Sequence, residues 1–139
     1  MAQSKAFGNA FKLHDILNVK DPAFGAVGDG VTDDTAALQA AFSAAGAAAP
    51  LKRVYTPPGT YIINTIVVAN PNTTDGDVPE LFGDGPQAVT FKAGGSLGAN
   101  PLFKHQGASP SRNVQWRGFR LLGTGAGNGQ YGVHHINTC

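Results

Sequence analysis

Cysteine occurs once, at Cys139, which excludes an internal disulfide framework and any multi-cysteine metal site. Charge is scarce as well: Asp, Glu, Lys and Arg make up 14% of 139 residues, against about 25% in ordinary soluble domains. No run approaches the roughly 20 apolar residues of a membrane-spanning helix, since the best, Tyr61 to Ala69, is broken by Asn64 and Thr65. A secretory leader is not expected either, because Lys12, His14, Asp15 and Lys20 stand where its apolar segment would be. Acids are missing beyond Asp84. Residues 1–85 carry nine acids and five bases, net −4, whereas residues 86–139 carry five bases and no acid, net +5. Chemistry that needs paired carboxylates therefore cannot be housed in the C-terminal part alone, while a basic surface facing a polyanion can.

What the sequence has in abundance is turns. Nineteen Gly and nine Pro accompany a hydrophobic fraction of 42%, a combination that fits many short strands joined by tight turns and argues against both a helical bundle and a disordered polar chain. Phe7, Ala10, Phe11, His14 and Leu17 recur at helical spacing, so residues 1–20 read as an arm with a short amphipathic helix. Such a stripe serves equally to fold back on its own domain or to dock a partner. Pro22 forces the residue before it out of the helical region and ends the arm.

Next comes a turn-rich stretch with Gly25, Gly28 and Gly30, and then a helix expected over about 33–45. Thr32 or Asp33 would cap it, Asp34 would sit in its first turn at the positive dipole end, and Gly46 would stop it. Leu38, Ala41, Phe42 and Ala45 form its buried stripe. Residues 53–63 read as strand, Pro-Pro-Gly turn and strand, and 65–69 as a further strand. Short apolar segments follow at Val89 to Phe91, Leu102 to Phe103, Val114 to Trp116, Phe119 to Leu121 and Tyr131 to Val133. Their irregular spacing suits about three coils of a β-solenoid. Alternation in 114–121 turns Val114, Trp116, Phe119 and Leu121 inward and leaves Gln115, Arg117 and Arg120 outside, with Gly118 at the bend.

Three motifs in order carry a resemblance: Phe24 to Thr35 (FGAVGDGVTDDT) with its Ala-rich helix, Val54 to Tyr61 (VYTPPGTY), and Leu81 to Gly85 (LFGDG). From about residue 23 onward the chain resembles the start of the right-handed parallel β-helices similar to pectate lyases, a group that includes polygalacturonases and bacteriophage tailspike depolymerases. Ala23 and Thr56 are small departures from that pattern. The resemblance implies an all-β solenoid, a right-handed parallel β-helix with an N-terminal capping helix, in which Gly28, Asp29, Gly30, Asp33, Asp34, Pro58 and Gly59 are structural motif residues. Residues 21–139 would be its N-terminal coils. The pattern Val133 to Ile136 reads as mid-coil, so a longer β-helix, or a partner over the open end, is expected.

Candidate sites are few. Asp29, Asp33 and Asp34 could suggest paired carboxylates, but turn and cap positions account for them. Asp75, Asp77 and Glu80 lack most of a calcium-hand pattern, and adjacent His134 and His135 point to opposite faces of a strand, so no metal is expected. Gly123 to Gly129 lacks the Lys-Ser/Thr ending of a phosphate loop and reads as a turn. Lys104, Arg112, Arg117 and Arg120 remain as weak substrate-binding candidates, because cations can act on and bind uronic acid polymers; an ordinary solvated face is their plainer explanation.

The resemblance implies a phage tailspike or tail fibre that binds and can depolymerise host surface polysaccharide. It further implies a homotrimer, other virion tail proteins contacted through the arm, and a location on the virion or outside the cell. The alternatives are a fragment of a polysaccharide lyase or glycoside hydrolase, and a non-catalytic adhesive β-helix. No catalytic residues, cofactor, nucleic acid or membrane insertion are expected of this chain.

Overall fold

The computed structural model describes residues 16–48, 50–69, 78–107, 115–124 and 133–137, with backbone alone for 106–107 and 133–137. Its elements in chain order are β1 (Ile16–Asn18), β2 (Asp29–Asp33), α1 (Thr35–Ala47), β3 (Arg53–Thr56), β4 (Gly59–Ile63), β5 (Val67–Val68), β6 (Leu81–Gly83), β7 (Val89–Ala93), β8 (Phe103–Gly107), β9 (Trp116–Arg117), β10 (Arg120–Leu122) and β11 (Val133–Asn137). They assemble into three sheets, ordered β1-β3-β6-β9, β10-β7-β4-β2 and β11-β8-β5. Every pairing is parallel. Each coil thus contributes one strand to each of three faces: β3, β4 and β5 to the first full coil, β6, β7 and β8 to the second, β9, β10 and β11 to the third.

Register follows from burial. Because alternate side chains of a strand face opposite ways, aligning the apolar positions of successive coils fixes which residue stacks on which. Leu17, Val54, Leu81 and Trp116 form one inward column, and Tyr61, Phe91 and Leu121 another. Val54, Tyr61, Leu81, Phe91 and Phe103 are fully buried. The rings meet in offset and edge-on contacts, with Phe91 lying 5.1 Å from Phe103, 5.1 Å from Phe119 and 5.6 Å from Tyr61 between centroids.

Helix α1 closes the first coils. Its buried residues Ala37, Leu38, Ala41, Phe42 and Ala45 include the expected stripe, and Phe42 reaches within 6.1 Å of the Phe103 ring. A second device is polar: the Gln39 side chain donates to the carbonyl of Val68 at 3.0 Å and accepts from its amide at 2.8 Å. One amide side chain thereby pairs with the edge strand β5 as a neighbouring strand would. Gln39→Leu, similar in size but unable to bond, is expected to cost about 2 kcal/mol, from two bonds of about 1 kcal/mol each. Denaturant titration would measure that loss, and hydrogen exchange at the Val68 amide should accelerate. An unchanged midpoint with unchanged exchange would exclude this capping role.

Several expectations need correction. Leu17 belongs to strand β1 rather than to an arm helix, since Ile16 to Asn18 pair in register with Arg53 to Tyr55; the rest of that arm lies outside the described residues. The turn stretch holds an unexpected strand, β2, whose pairing with β4 shifts register between Asp29 and Asp33. The helix starts at Thr35 with Asp34 as its cap residue, and it runs through Gly46 to Ala47. Gly46 fails as a stop because the chain leaves the helix by extended backbone at Ala48, with no left-handed residue needed. The strand expected over 65–69 is reduced to Val67–Val68.

Candidate functional site

The outer face of the sheet β1-β3-β6-β9 brings stacked aromatic rings together with charged side chains. Its inward column places the intervening residues outside, so that Asn18, Tyr55, Phe82 and Arg117 stand in line on successive coils. The Tyr55 and Phe82 rings stack at 5.2 Å, tilted by 31°, and the Arg53 guanidinium lies 5.5 Å from the Phe82 centroid. Such a stack is stabilised by ring quadrupoles and by cation–π attraction.

Carboxylates complete the face. Tyr55 donates its hydroxyl proton to Asp84 Oδ2 at 2.7 Å, and this bond, with the added charge of Asp84, raises the phenol above its ordinary value. Glu80 lies between the arginines: Oε1 is 3.0 Å from Arg117 Nη2, and Oε2 is 3.9 Å from Arg53 Nε. Oε1 is shut off from solvent and meets Arg117 charge to charge, without an aligned N–H. Exposure grades outward, from 18% for the Glu80 side chain to 44% for Arg53 and 65% for Arg117. Two guanidiniums and two carboxylates therefore cancel formally across the patch.

Of the cations singled out in the sequence, the three that are described are not brought together. Arg117 is on β9 in the first sheet, Arg120 on β10 in the second and Lys104 on β8 in the third. Arg112 lies outside the described residues. Arg120 is exposed, as is Arg117, and it donates through Nε to Thr90 Oγ1 at 2.8 Å. Sequence reasoning missed Tyr55, Phe82, Arg53 and Asp84, and it weighed Glu80 only as a calcium ligand. The available signal was the alignment of Val54, Leu81 and Trp116 as one inward column, which places Arg117 beside Phe82 and the coil of Glu80.

The motif acids are bound up locally. Asp29 accepts from the amides of Val31 and Thr32 at 2.9 and 2.7 Å and from the Thr32 hydroxyl, and these bonds, led by the Thr32 amide, hold its carboxyl below the ordinary value. Asp33 accepts from the Thr35 amide at 3.0 Å and from the Thr35 hydroxyl. Asp34, only 1% exposed, turns both oxygens back to the amides of Val27 and Gly28, at 2.7 and 3.0 Å. Gly28 and Gly59 mark a close approach of two turns: a β-carbon on Gly59 would sit 2.7 Å from the Gly28 carbonyl oxygen. Pro58 is exposed and its carbonyl accepts from Lys20 Nζ at 3.2 Å, while Gly30 holds a positive φ of 80° within β2.

Among the described residues, no three His, Cys, Asp or Glu side chains lie close enough to hold a metal ion. No described helix is long and apolar enough to cross a membrane. Asp75 and Asp77 are outside the described residues. By backbone register, His134 pairs with Lys104 and His135 with His105.

Residues 16–130 match the family described as rhamnogalacturonase A/epimerase, pectate lyase-like. Among curated proteins, mannuronan C5-epimerase AlgE1 of Azotobacter vinelandii is 60% identical over 47 residues, 34% of this chain and 3% of its own length. Plasmin and fibronectin-binding protein A of Streptococcus pneumoniae is 46% identical over 57 residues, 41% of this chain and 8% of its own length. Among solved structures, the A-module of mannuronan C-5 epimerase AlgE4 from A. vinelandii superposes with TM-score 0.57 at 33% identity, covering 84% of this chain and 31% of that one. ORF18 of Geobacillus virus E2 superposes with TM-score 0.54 at 30% identity, covering 80% of this chain and 20% of that one. The chain thus spans a small part of each of these relatives.

Proposed function

This chain belongs to the pectate-lyase-like rhamnogalacturonase A/epimerase family, a family of right-handed parallel β-helices that act on polysaccharides, and from that premise we propose that it forms the first coils of a phage tail β-helix that binds host surface polysaccharide. The observation that carries the phage reading is the likeness to a viral protein over 80% of the chain, at 30% identity. The outer face of β1-β3-β6-β9 is the binding surface in this reading, because it alone among the described faces combines stacked rings with several hydrogen-bonding charges. The assembly is a homotrimer of parallel β-helices, displayed on the virion.

A second reading is favoured by the likeness to the epimerase module: a fragment of an enzyme that modifies a polysaccharide, with its reacting groups on other coils. Affinity electrophoresis of the full chain in gels containing bacterial surface polysaccharides tests binding, and sedimentation tests the trimer. Retardation without product formation, together with a trimeric mass, is the expected result. Release of unsaturated or reducing sugar ends by this chain would favour the enzyme, and absence of any retardation would overturn the binding reading.

A further inference from the structure

We infer that Glu80 sets the specificity of the outer face of β1-β3-β6-β9, turning a pair of arginines that could hold carboxylated sugars into a surface for uncharged ones. The inference rests on the polysaccharide-binding reading and names the substrate class of that same face.

Position is the first ground. A sugar carboxylate bound on this face would need Arg53 and Arg117, and Glu80 already stands between them, 3.9 Å from one and 3.0 Å from the other. Being part of the same chain, Glu80 competes at an effective concentration no free carboxylate group reaches in dilute solution. Its side chain is only 18% exposed and faces both guanidiniums, so swinging it away would break both contacts. The second ground is charge. With Asp84 tied to the Tyr55 hydroxyl, the face carries two positive and two negative groups and offers a polyanion no net attraction. Lys104 and Arg120 add nothing to it, since they sit on the two other sheets.

What remains available suits neutral sugars. Arg117 is 65% exposed and keeps guanidinium N–H groups for hydroxyl oxygens. Asp84 is exposed and accepts from hydroxyls. The partly buried Tyr55 and Phe82 rings supply apolar contact for C–H groups of a sugar ring.

The test measures binding of the full chain to a panel of neutral glucan, mannan and galactan, and to polygalacturonate, for the wild type, Glu80→Gln and the double variant Glu80→Gln with Arg117→Gln. Wild type is expected to bind a neutral polymer with little salt dependence and to bind polygalacturonate at least about tenfold more weakly. Glu80→Gln should gain at least about tenfold toward polygalacturonate at low salt, a gain erased by raised salt and by the second substitution, since exposed charge pairs are screened. Tight wild-type binding to polygalacturonate, or a Glu80→Gln variant that melts normally yet gains nothing, would overturn the inference while leaving the polysaccharide reading intact. Retention of the wild type on no polymer would overturn both. Should Glu80→Gln unfold, the relative affinities of the wild type for the two polymer classes still decide.

Discussion

Phe91→Ala is expected to lower the thermal unfolding midpoint by about 10–20 °C, because emptying a buried phenylalanine site costs about 3–5 kcal/mol and each kcal/mol moves the midpoint of a domain this size by about 3–5 °C. Phe91 touches rings from three other strands or turns, Tyr61 on β4, Phe103 on β8 and Phe119 beside β10, so its loss opens a cavity bounded by three coils at once. The rigid backbone ladders around it leave little room for collapse. Phe119→Ala, at a partly buried ring of the same cluster, should cost less. Calorimetric scans of both variants would check the order; a drop under about 4 °C for Phe91→Ala would mean that the coils do not share one core.

Asp34→Asn is the second large effect. The substitution preserves shape but replaces one of two accepting oxygens by an NH2 group, which then faces the Val27 or Gly28 amide donor to donor. Leaving a buried donor unpaired costs about 1–3 kcal/mol, so a fall of about 5–12 °C in the midpoint is expected. The motif turn should also loosen, with faster hydrogen exchange at Val27 and Gly28. Asp33→Asn, at an exposed carboxylate bonded to Thr35 and Asn64, is the comparison and should shift the midpoint far less. Equal effects of the two substitutions would refute the special role given to Asp34.

These two residues also mark how much the sequence makes legible. The turn motif around Asp34 and the Pro-Pro-Gly hairpin identify the fold because turn chemistry is local: a carboxylate bonding amides six or seven residues away leaves a fixed spacing. The helix stripe is legible for the same reason. Strand β2 is not, because its exposed pattern, with Val31 85% exposed, lacks alternation; it is a strand only because β4 offers Thr60 and Ile62 as partners. The outer face is illegible for a related reason. Tyr55, Glu80 and Arg117 are dozens of residues apart and meet only through the stacking of coils, so each looks like an isolated surface residue until the register is known. Lys104, Arg117 and Arg120 fall on three different sheets, and period-2 alternation could not have said so, because it tells that a side chain points outward without telling from which of three faces.

The in-register columns also shape how such a chain can vary. Leu17, Val54, Leu81 and Trp116 occupy one line through the core at successive levels, and their volumes must fit end to end as well as across the interior. A gain in size at Val54 is most directly accommodated by a reduction at Leu17 or Leu81, one level away, rather than elsewhere in its own coil. Related sequences should therefore covary at intervals of one coil, about 27 to 37 residues here, and an alignment read vertically in that way would recover the register with no coordinates at all.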